Sequence, residues 1–439
     1  MLAYNRHTME YYSLLLPLAL ILVLSKTAGV LLQKIGVPQV IGMIAAGILV
    51  GLIGFIPNQT VLTPAVEEGL SFLAKIGVVI IMFSAGLDTD LKKVRQTGAS
   101  AIVITVLGVV VPLGAGFAVA GAFLGFTDVY GCLFYGVILT ATSVSVTVAT
   151  LKELGKLDSK VGTAIISAAI IDDVIGIALL SLIVGLKGAG SGANTGLLGK
   201  IVSAAGATVS ATSEFWIVLA NILLFFAVGI GVGLVFRMLF KRLALHHHHF
   251  RRIAIYAFAL CFIYAYAAEA WFGVADITGA FMAGLLLSGL KESSYIDRKA
   301  DISTYMIFGP VFFANIGVIT MMQIVRGEFV MTPTFVWFGV AFVAVGLLGK
   351  LVGCGVGAKL CRYSIADSLR VGLGMMARAE VVLICTQKGV QSGLVSPSIT
   401  PFVLAIILLS SLLTPLLLKV TYRHERIPHE PADLPPIAQ

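Results

Sequence analysis

The chain has 439 residues, of which 58% are hydrophobic and 12% are charged, and its mean hydropathy is +1.01. Soluble globular proteins carry about twice that share of charged residues, so the composition excludes a sizeable soluble domain and predicts a polytopic membrane protein. The net charge of +8 does not indicate a nucleic-acid partner, because the basic residues lie between apolar segments. The five cysteines are too scattered to indicate a disulfide framework or a metal site, and neither an enzymatic activity nor a cofactor is expected.

Thirteen apolar segments predict membrane-crossing helices. The hydrocarbon core of a membrane is about 30 Å thick, and a helix rises about 1.5 Å per residue. We expect an all-α protein with thirteen transmembrane helices, called spans one to thirteen. Their predicted ranges are 11–31, 37–55, 68–88, 98–125, 130–150, 160–186, 214–240, 251–271, 272–290, 302–322, 332–358, 371–393 and 398–418.

The distribution of basic residues predicts the orientation. An odd number of spans places the two termini on opposite sides of the membrane. One set of alternate loops, together with the C-terminal tail, holds 21 of the 30 lysines and arginines. Because basic residues concentrate on the cytoplasmic side, we expect the N-terminus outside and the C-terminus in the cytoplasm of a cell with this protein in its inner (plasma) membrane.

Two adjacent carboxylates, Asp172 and Asp173, stand in the middle of the apolar run of span six. A single ionised aspartate at the centre of a membrane costs at least about 2.5–3.5 kcal/mol. The pair either ties helices together through hydrogen bonds or binds a cation, a proton, or each in turn. The expense of two such groups side by side favours binding.

A third buried charge, Lys350, stands near the centre of span eleven, in the segment GLLGKLVG at 346–353. It is too deep to reach the membrane surface easily. We expect either a carboxylate partner, for which Asp172 and Asp173 are the candidates, or a water-filled vestibule. The flanking glycines predict close approach of another helix.

Two spans carry weak points in their helical pattern. Span five contains the hydroxyl-rich segment TATSVSVT at 140–147, in which Thr140, Thr142, Ser143 and Ser145 are candidate cavity-lining residues. Such a segment makes a poor continuous helix and is tolerated in a membrane where it lines a cavity and coordinates an ion. Span twelve has a comparable weak point at 372–379. The two spans cross the membrane in opposite directions, which predicts an inverted repeat of spans four to six against spans eleven to thirteen.

Further charged and polar residues lie within the apolar spans. Arg378 and Glu380 in span twelve are two positions apart and do not share a helix face, so each serves either a structural ion network or transport. Glu269, Asp276 and Asn315 near the spans eight to ten are candidates for an ion path or for structural roles.

Several of these segments together resemble a known family. The combination is similar to the monovalent cation:proton antiporter-2 family of bacterial and archaeal sodium/proton antiporters, of the paired-aspartate, electrogenic type. The resemblance covers about residues 11–420 and rests on AIIDD at 169–173, GKLVG at 349–353, FSAGLDTD at 83–90, TGAFMAG at 278–284, FFANIG at 312–317 and RAE at 378–380.

The resemblance implies a domain organisation and a homodimer in membrane lipid, without a cytoplasmic regulatory domain on this chain. A dimerisation domain comprises 11–90 and 251–322, and a mobile core comprises 98–186 and 332–420. A linker helix at 214–240 follows an external loop at 187–213. The remaining parts are an outer N-terminal tail at 1–10 and a cytoplasmic tail at 421–439.

The resemblance also implies residue roles. Asp173 is the carboxylate that binds the proton or the metal cation Na⁺, with Li⁺ or K⁺ as alternatives. Asp172 pairs with Lys350, and Thr142 and Ser143 lie at the crossing of the interrupted helices. Because surroundings of low dielectric favour the neutral forms of carboxyl and amino groups, protons can be exchanged at this site.

The expected function is secondary active exchange of a monovalent cation for protons by alternating access. Two protons per cation would make the cycle electrogenic. The competing hypothesis is a sodium-coupled symporter of an organic solute, because related inverted-repeat folds perform such transport.

Overall fold

The computed structural model describes residues 11–34, 39–89, 98–143, 145–157, 159–190, 197–198, 200, 211–246, 251–290, 292–327 and 332–423. All regular secondary structure within these residues is helical. A helix or a pair of helices occupies each of the thirteen predicted spans, so the all-α architecture is confirmed.

The first six spans include one that is broken. Spans one to four are Tyr11–Leu14 with Leu15–Lys34, Gln39–Gly51 with Leu52–Phe55, Pro64–Asp88, and Ala99–Leu124. Span five consists of Val129–Ile138 and Ser145–Glu153, and span six is Lys160–Gly190.

The remaining seven spans follow the same pattern, with the break in span twelve. Spans seven to nine are Ala211–His246, Arg251–Ala267 with the π-helical Ala268–Phe272, and Asp276–Leu287. Span ten is a continuous rod of Ser293–Ser303, the π-helical Thr304–Phe308 and Gly309–Val325. Spans eleven to thirteen are Pro333–Leu360, Ile365–Gly374 with Glu380–Gln391, and Pro397–Ile399 with Thr400–Tyr422.

Membrane-crossing capacity varies among the spans. Within the described residues, nine helices are long and apolar enough to cross a membrane by themselves. Gln39–Phe55, Val129–Ile138 and Asp276–Leu287 are shorter apolar helices. The two broken spans would cross only as the sum of their halves, as the sequence predicts.

The helices on either side extend a few residues into the predicted external loop at 187–213. Span six stays helical to Gly190, and span seven begins at Ala211 and continues to His246, beyond the predicted linker range 214–240. The loop itself stays a prediction. Residues 191–196, 199 and 201–210 lie outside the described residues.

The helices pack as two groups. Spans four, five, six, eleven, twelve and thirteen contact one another and are called the core group. Spans one, two, three, eight, nine and ten likewise contact one another and are called the scaffold group. Span seven lies against spans six, eight and nine, so it contacts both groups.

Glycines determine how closely span eleven approaches span four. A Cβ atom added at Gly349 would lie 3.0 Å from Pro112 Cβ, and one at Gly353 would lie 2.5 Å from Leu107 O. One turn further, a Cβ at Gly357 would lie 2.8 Å from Ile104 Cα. The small residues on either side of Lys350 therefore let the backbones of two core helices touch, as is common in membrane helix packing.

An equally close contact joins spans three and nine in the scaffold group. A Cβ atom at Gly86 would overlap the carbonyl oxygen of Phe281, and a Cβ at Gly284 would overlap that of Phe83. Each glycine thus lies against the backbone of the other helix. A larger side chain at either position would push the two helices apart and disrupt their packing.

We predict that Gly284→Ala destabilises the protein by about 1–3 kcal/mol, because overpacking forces the two backbones apart. Thermal unfolding of the purified protein in detergent, followed by tryptophan fluorescence, measures the effect. Gly231→Ala is the matched control: an added Cβ there meets nothing within 4 Å, and alanine favours the helix by up to about 1 kcal/mol. Equal unfolding temperatures for the two variants would contradict the packing argument.

Candidate functional site

The two broken helices meet at their breaks. The chain is non-helical at residues 139–143 of span five and again at residues 375–379 of span twelve. The Ser143 N–H donates to Ala377 O at 3.0 Å, which joins the two breaks directly. Non-helical backbone in a membrane must find hydrogen-bond partners within the protein, and each break supplies partners for the other.

The Thr147 hydroxyl gives the crossing a second connection. It lies in the second half of span five and donates to Gly374 O at 2.7 Å, at the C-terminal end of the first half of span twelve. A helix end leaves carbonyl groups without intrahelical partners. A hydroxyl of one broken span therefore caps the other.

Arg378 of span twelve caps span five in turn, and it does so with a charged side chain. Its side chain is fully buried and donates to Leu139 O at 2.7 Å and to Ala141 O, beyond the C-terminal end of the first half of span five. A third contact, at 3.2 Å, reaches Gly346 O in span eleven. A cation at a helix C-terminus is favourable because the helix dipole is negative there. One guanidinium thus connects three segments of the core group.

Lys350 and Asp172 form a buried ion pair beside this crossing. Lys350 Nζ lies 2.5 Å from Asp172 Oδ1, and the two side chains are 0% and 1% exposed. Span four carries Gly108 next to this region, where an added Cβ would lie 2.3 Å from the Sγ atom of Cys354, one turn along span eleven from Lys350. Removing one member of a buried pair leaves an uncompensated charge, which typically costs about 3–5 kcal/mol.

The second oxygen of Asp172 is different from the first. Among the described atoms, Asp172 Oδ2 is buried and has no hydrogen-bond partner. A buried carboxylate oxygen without a partner is expensive, so it is poised to accept a proton or to coordinate a cation.

Asp173 lies on a more accessible part of span six. Its side chain is partly exposed, whereas that of Asp172 is sealed. The paired aspartates therefore have distinct surroundings: Asp172 is sealed against Lys350, and Asp173 is partly accessible.

The hydroxyls predicted to line a cavity largely serve the break itself. Thr140 Oγ1 donates to Val137 O at 2.8 Å, and Thr142 Oγ1 donates to Thr140 O at 3.4 Å. Thr142 Oγ1 also accepts from Arg378 at 3.5 Å. The side chains of Ser145 and Glu380 lie outside the described residues. The transport roles of all these residues stay predictions.

A second polar cluster, which the sequence indicated only weakly, lies at the C-terminal ends of spans eight and twelve and at the start of span nine. Lys388 Nζ lies 3.2 Å from Glu269 Oε2 and 3.0 Å from Asp276 Oδ1. The Asp276 N–H donates to the same Glu269 oxygen at 2.9 Å. The two acids were candidates for an ion path, but their lysine partner was not singled out. The sequence pointed to this lysine only by its position, because all three residues lie near the ends of their predicted spans on the same side of the membrane.

This cluster borders a small cavity of about 40 Å³ between the two helix groups. Ser71, Asp276 and Asn315 line it from the scaffold group, and Gln387 and Lys388 line it from the core group. The other lining residues are mostly apolar, so polar groups of the two helix groups face a cavity whose wall is largely apolar.

Comparisons with known proteins agree with this arrangement. The family model described as "Sodium/hydrogen exchanger, transmembrane" matches residues 19–423. The chain is 31% identical over 409 residues to the Na⁺/H⁺-K⁺ antiporter GerN of Bacillus cereus, covering 92% of this chain and 95% of that protein. It is 26% identical to the high-affinity Na⁺/H⁺ antiporter NhaS3 of Synechocystis, covering 96% and 93%.

A solved structure shows the same fold. The sodium proton antiporter MjNhaP1 of Methanocaldococcus jannaschii superposes with a TM-score of 0.64 at 17% identity. The match covers 94% of this chain and 98% of that one. With its two broken spans crossing beside a buried ion pair, and with a family model matched over nearly its whole length, the chain belongs to the transmembrane sodium/hydrogen exchanger family.

Proposed function

We propose that this protein exchanges a monovalent cation, Na⁺ before Li⁺ or K⁺, for protons across the cell membrane. The observation that carries the proposal is the buried Lys350–Asp172 pair with Asp173 as its neighbour. Titratable groups inside a membrane are retained at a cost, and they mark ion and proton pathways. The family assignment supports exchange, and no feature of the described residues favours the symporter hypothesis over it.

Asp173 is the shared binding site in this mechanism. Its side chain is partly exposed, so ions arriving by an aqueous route can reach it. An ionised carboxylate attracts a cation, and a protonated one does not. One carboxylate therefore holds either a proton or a cation, and this exclusion couples the two fluxes.

Lys350 supplies the second proton. A cation that binds between the two aspartates draws on the partnerless Oδ2 of Asp172 as well as on Asp173. The cation then competes with the Lys350 ammonium for Asp172. A buried ammonium that loses its partner is disfavoured, so Lys350 releases a proton. Two protons per cation make each cycle move net charge.

Alternating access follows from the two helix groups. The core group carries Asp172, Asp173, Lys350 and Arg378, and the scaffold group carries none of them. Arg378 and the backbone contacts between the breaks tie the site into one unit, so it moves as a body. We assign the scaffold group to the dimerisation domain of a homodimer, with the N-terminus outside and the C-terminus in the cytoplasm.

We predict that Asp173→Asn abolishes cation-driven proton movement in proteoliposomes, because asparagine can neither ionise nor release a proton. A pH-sensitive dye inside the vesicles reports exchange after addition of Na⁺, Li⁺ or K⁺. The matched control is Asp128→Asn, at an exposed position where asparagine can still cap the helix that begins at Val129. Retained exchange in Asp173→Asn would overturn the site assignment.

We predict that exchange by the native protein generates a current and that the double variant Asp172→Asn/Lys350→Met exchanges one proton per cation without one. Solid-supported membrane electrophysiology measures the current, and dye-based flux at clamped voltage measures the rate. The single variant Lys350→Met should unfold at a lower temperature than the double variant, because it leaves Asp172 buried and unpaired, at a cost of about 3–5 kcal/mol. A native rate that is indifferent to voltage would refute the two-proton mechanism.

A further inference from the structure

The cluster formed by Lys388, Glu269 and Asp276 differs from the other ion pairs on the same face of the protein. Lys187 and Asp128, 3.5 Å apart, both belong to the core group. Arg326 and Glu67, 2.6 Å apart, both belong to the scaffold group. These two pairs therefore keep their geometry when the groups move relative to each other.

Lys388 joins the two groups instead. It stands in the second half of span twelve, in the core group, and both of its carboxylate partners belong to the scaffold group. The Lys388 side chain is 16% exposed, and those of Glu269 and Asp276 are 49% and 28% exposed, so the lysine is the better shielded member of the cluster. Separating a partly buried lysine from two carboxylates costs more electrostatic interaction energy than separating an exposed pair.

The position of Lys388 relates it to the ion site. Ile384, one turn earlier in span twelve, lines the same cavity. The same helix, Glu380–Gln391, begins directly after the break in span twelve that holds Arg378. Lys388 and the crossing of the broken spans therefore belong to one segment of the core group.

We propose that Lys388, Glu269 and Asp276 form an outer latch, an ionic contact that holds the core group against the scaffold group in the conformation described and that opens in each transport cycle. The inference rests on the proposed alternating-access function and adds to it the contact that governs the conformational equilibrium. A neutral contact, the 2.8 Å hydrogen bond between the Ser181 and Thr278 hydroxyls, also joins the groups. No charges are separated when this hydrogen bond breaks. Among the described contacts between the groups, the latch therefore contributes most of the electrostatic cost of moving the groups apart.

The latch has a consequence that a purely structural ion pair does not have. A contact made in one conformation and absent from the other shifts the population of the two. Because the cation site faces opposite sides in the two conformations, loss of the latch changes the apparent KM for the cation in opposite directions on the two faces of the membrane. A typical coupling makes this change about fivefold or more.

The test compares Lys388→Met with Lys187→Met, which neutralises a lysine whose ion-pair partner lies in its own group. Spin labels at Thr60→Cys in the scaffold group and Thr127→Cys in the core group report the distance between the groups by double electron–electron resonance. Both threonines are exposed. Cys361, the described cysteine that is not buried, is replaced by serine throughout.

We expect the same distance distribution in the native protein and in Lys187→Met, and an additional population of distances in Lys388→Met. The charge-swapped variant Lys388→Glu/Asp276→Lys should restore the native distribution, because its lysine again lies between two carboxylates. In proteoliposomes, Lys388→Met should change the apparent KM in opposite directions on the two faces. This readout separates a latch from a loss of folding, which would lower the rate from both faces.

Identical distance distributions in Lys388→Met and Lys187→Met would overturn the latch, as would failure of the charge swap to restore the native one. The distance measurement does not depend on transport. A protein in which the distances respond as expected, but which exchanges no cation in any vesicle, would refute the proposed function and leave the latch standing.

Discussion

The buried contact between the Lys350 ammonium and the Asp172 carboxylate is the constraint on which the rest of the core depends. Two opposite charges, sealed from solvent inside a membrane protein, are tolerable only at contact distance. Spans six and eleven both pack against span four, and the lysine side chain reaches from span eleven to the carboxylate on span six. The glycines of span eleven let it approach span four closely. Close packing against span four therefore accompanies the charge pair.

The crossing of the two broken spans solves a related problem, that of backbone polarity. Each break exposes carbonyl and N–H groups that no water in the membrane interior can satisfy. The breaks pair with each other through Ser143 and Ala377, and side chains cap the helix ends in both directions. The arrangement leaves the site polar and locally non-helical, yet held by many short-range contacts. A rigid polar site is what selective ion binding needs, because ligands that are already in place need not be ordered when the ion arrives.

The degree of burial distinguishes charge contacts that persist during transport from charge contacts that break. Within the core group, the charges of Arg378, Lys350 and Asp172 are buried. Lys350 bonds Asp172, and Arg378 bonds backbone carbonyl groups, so breaking either contact is expensive. Between the groups, the charges of Lys388 and its partners are partly exposed, so water can replace the partners as they separate. Burial thus separates the sealed charges inside the core group, which stay together, from the partly exposed charges of the Lys388 cluster, which can part at the boundary between the helix groups.

The sequence by itself determined the membrane-spanning class, the thirteen spans and the locations of both helix breaks. Hydropathy and helix-breaking hydroxyl or glycine segments are local properties, so they are legible along the chain. The sequence also singled out Asp172, Asp173 and Lys350, because a charge inside an apolar run is costly wherever the helix packs. It left open whether Lys350 had a carboxylate partner, and it placed the helix ends around the loop before span seven a few residues short.

Only the tertiary structure decided which groups meet. Asp172 and Lys350 are 178 positions apart, and Lys388 lies 119 positions from Glu269. Nothing in the local pattern distinguished Arg378 as the cap of a helix in another repeat, or Lys388 as the bridge between two helix groups. Both roles depend on carbonyl or carboxylate groups that reach the same point from distant spans. The cost of an isolated charge is readable from its neighbours in sequence, but the partner that relieves this cost is chosen by packing.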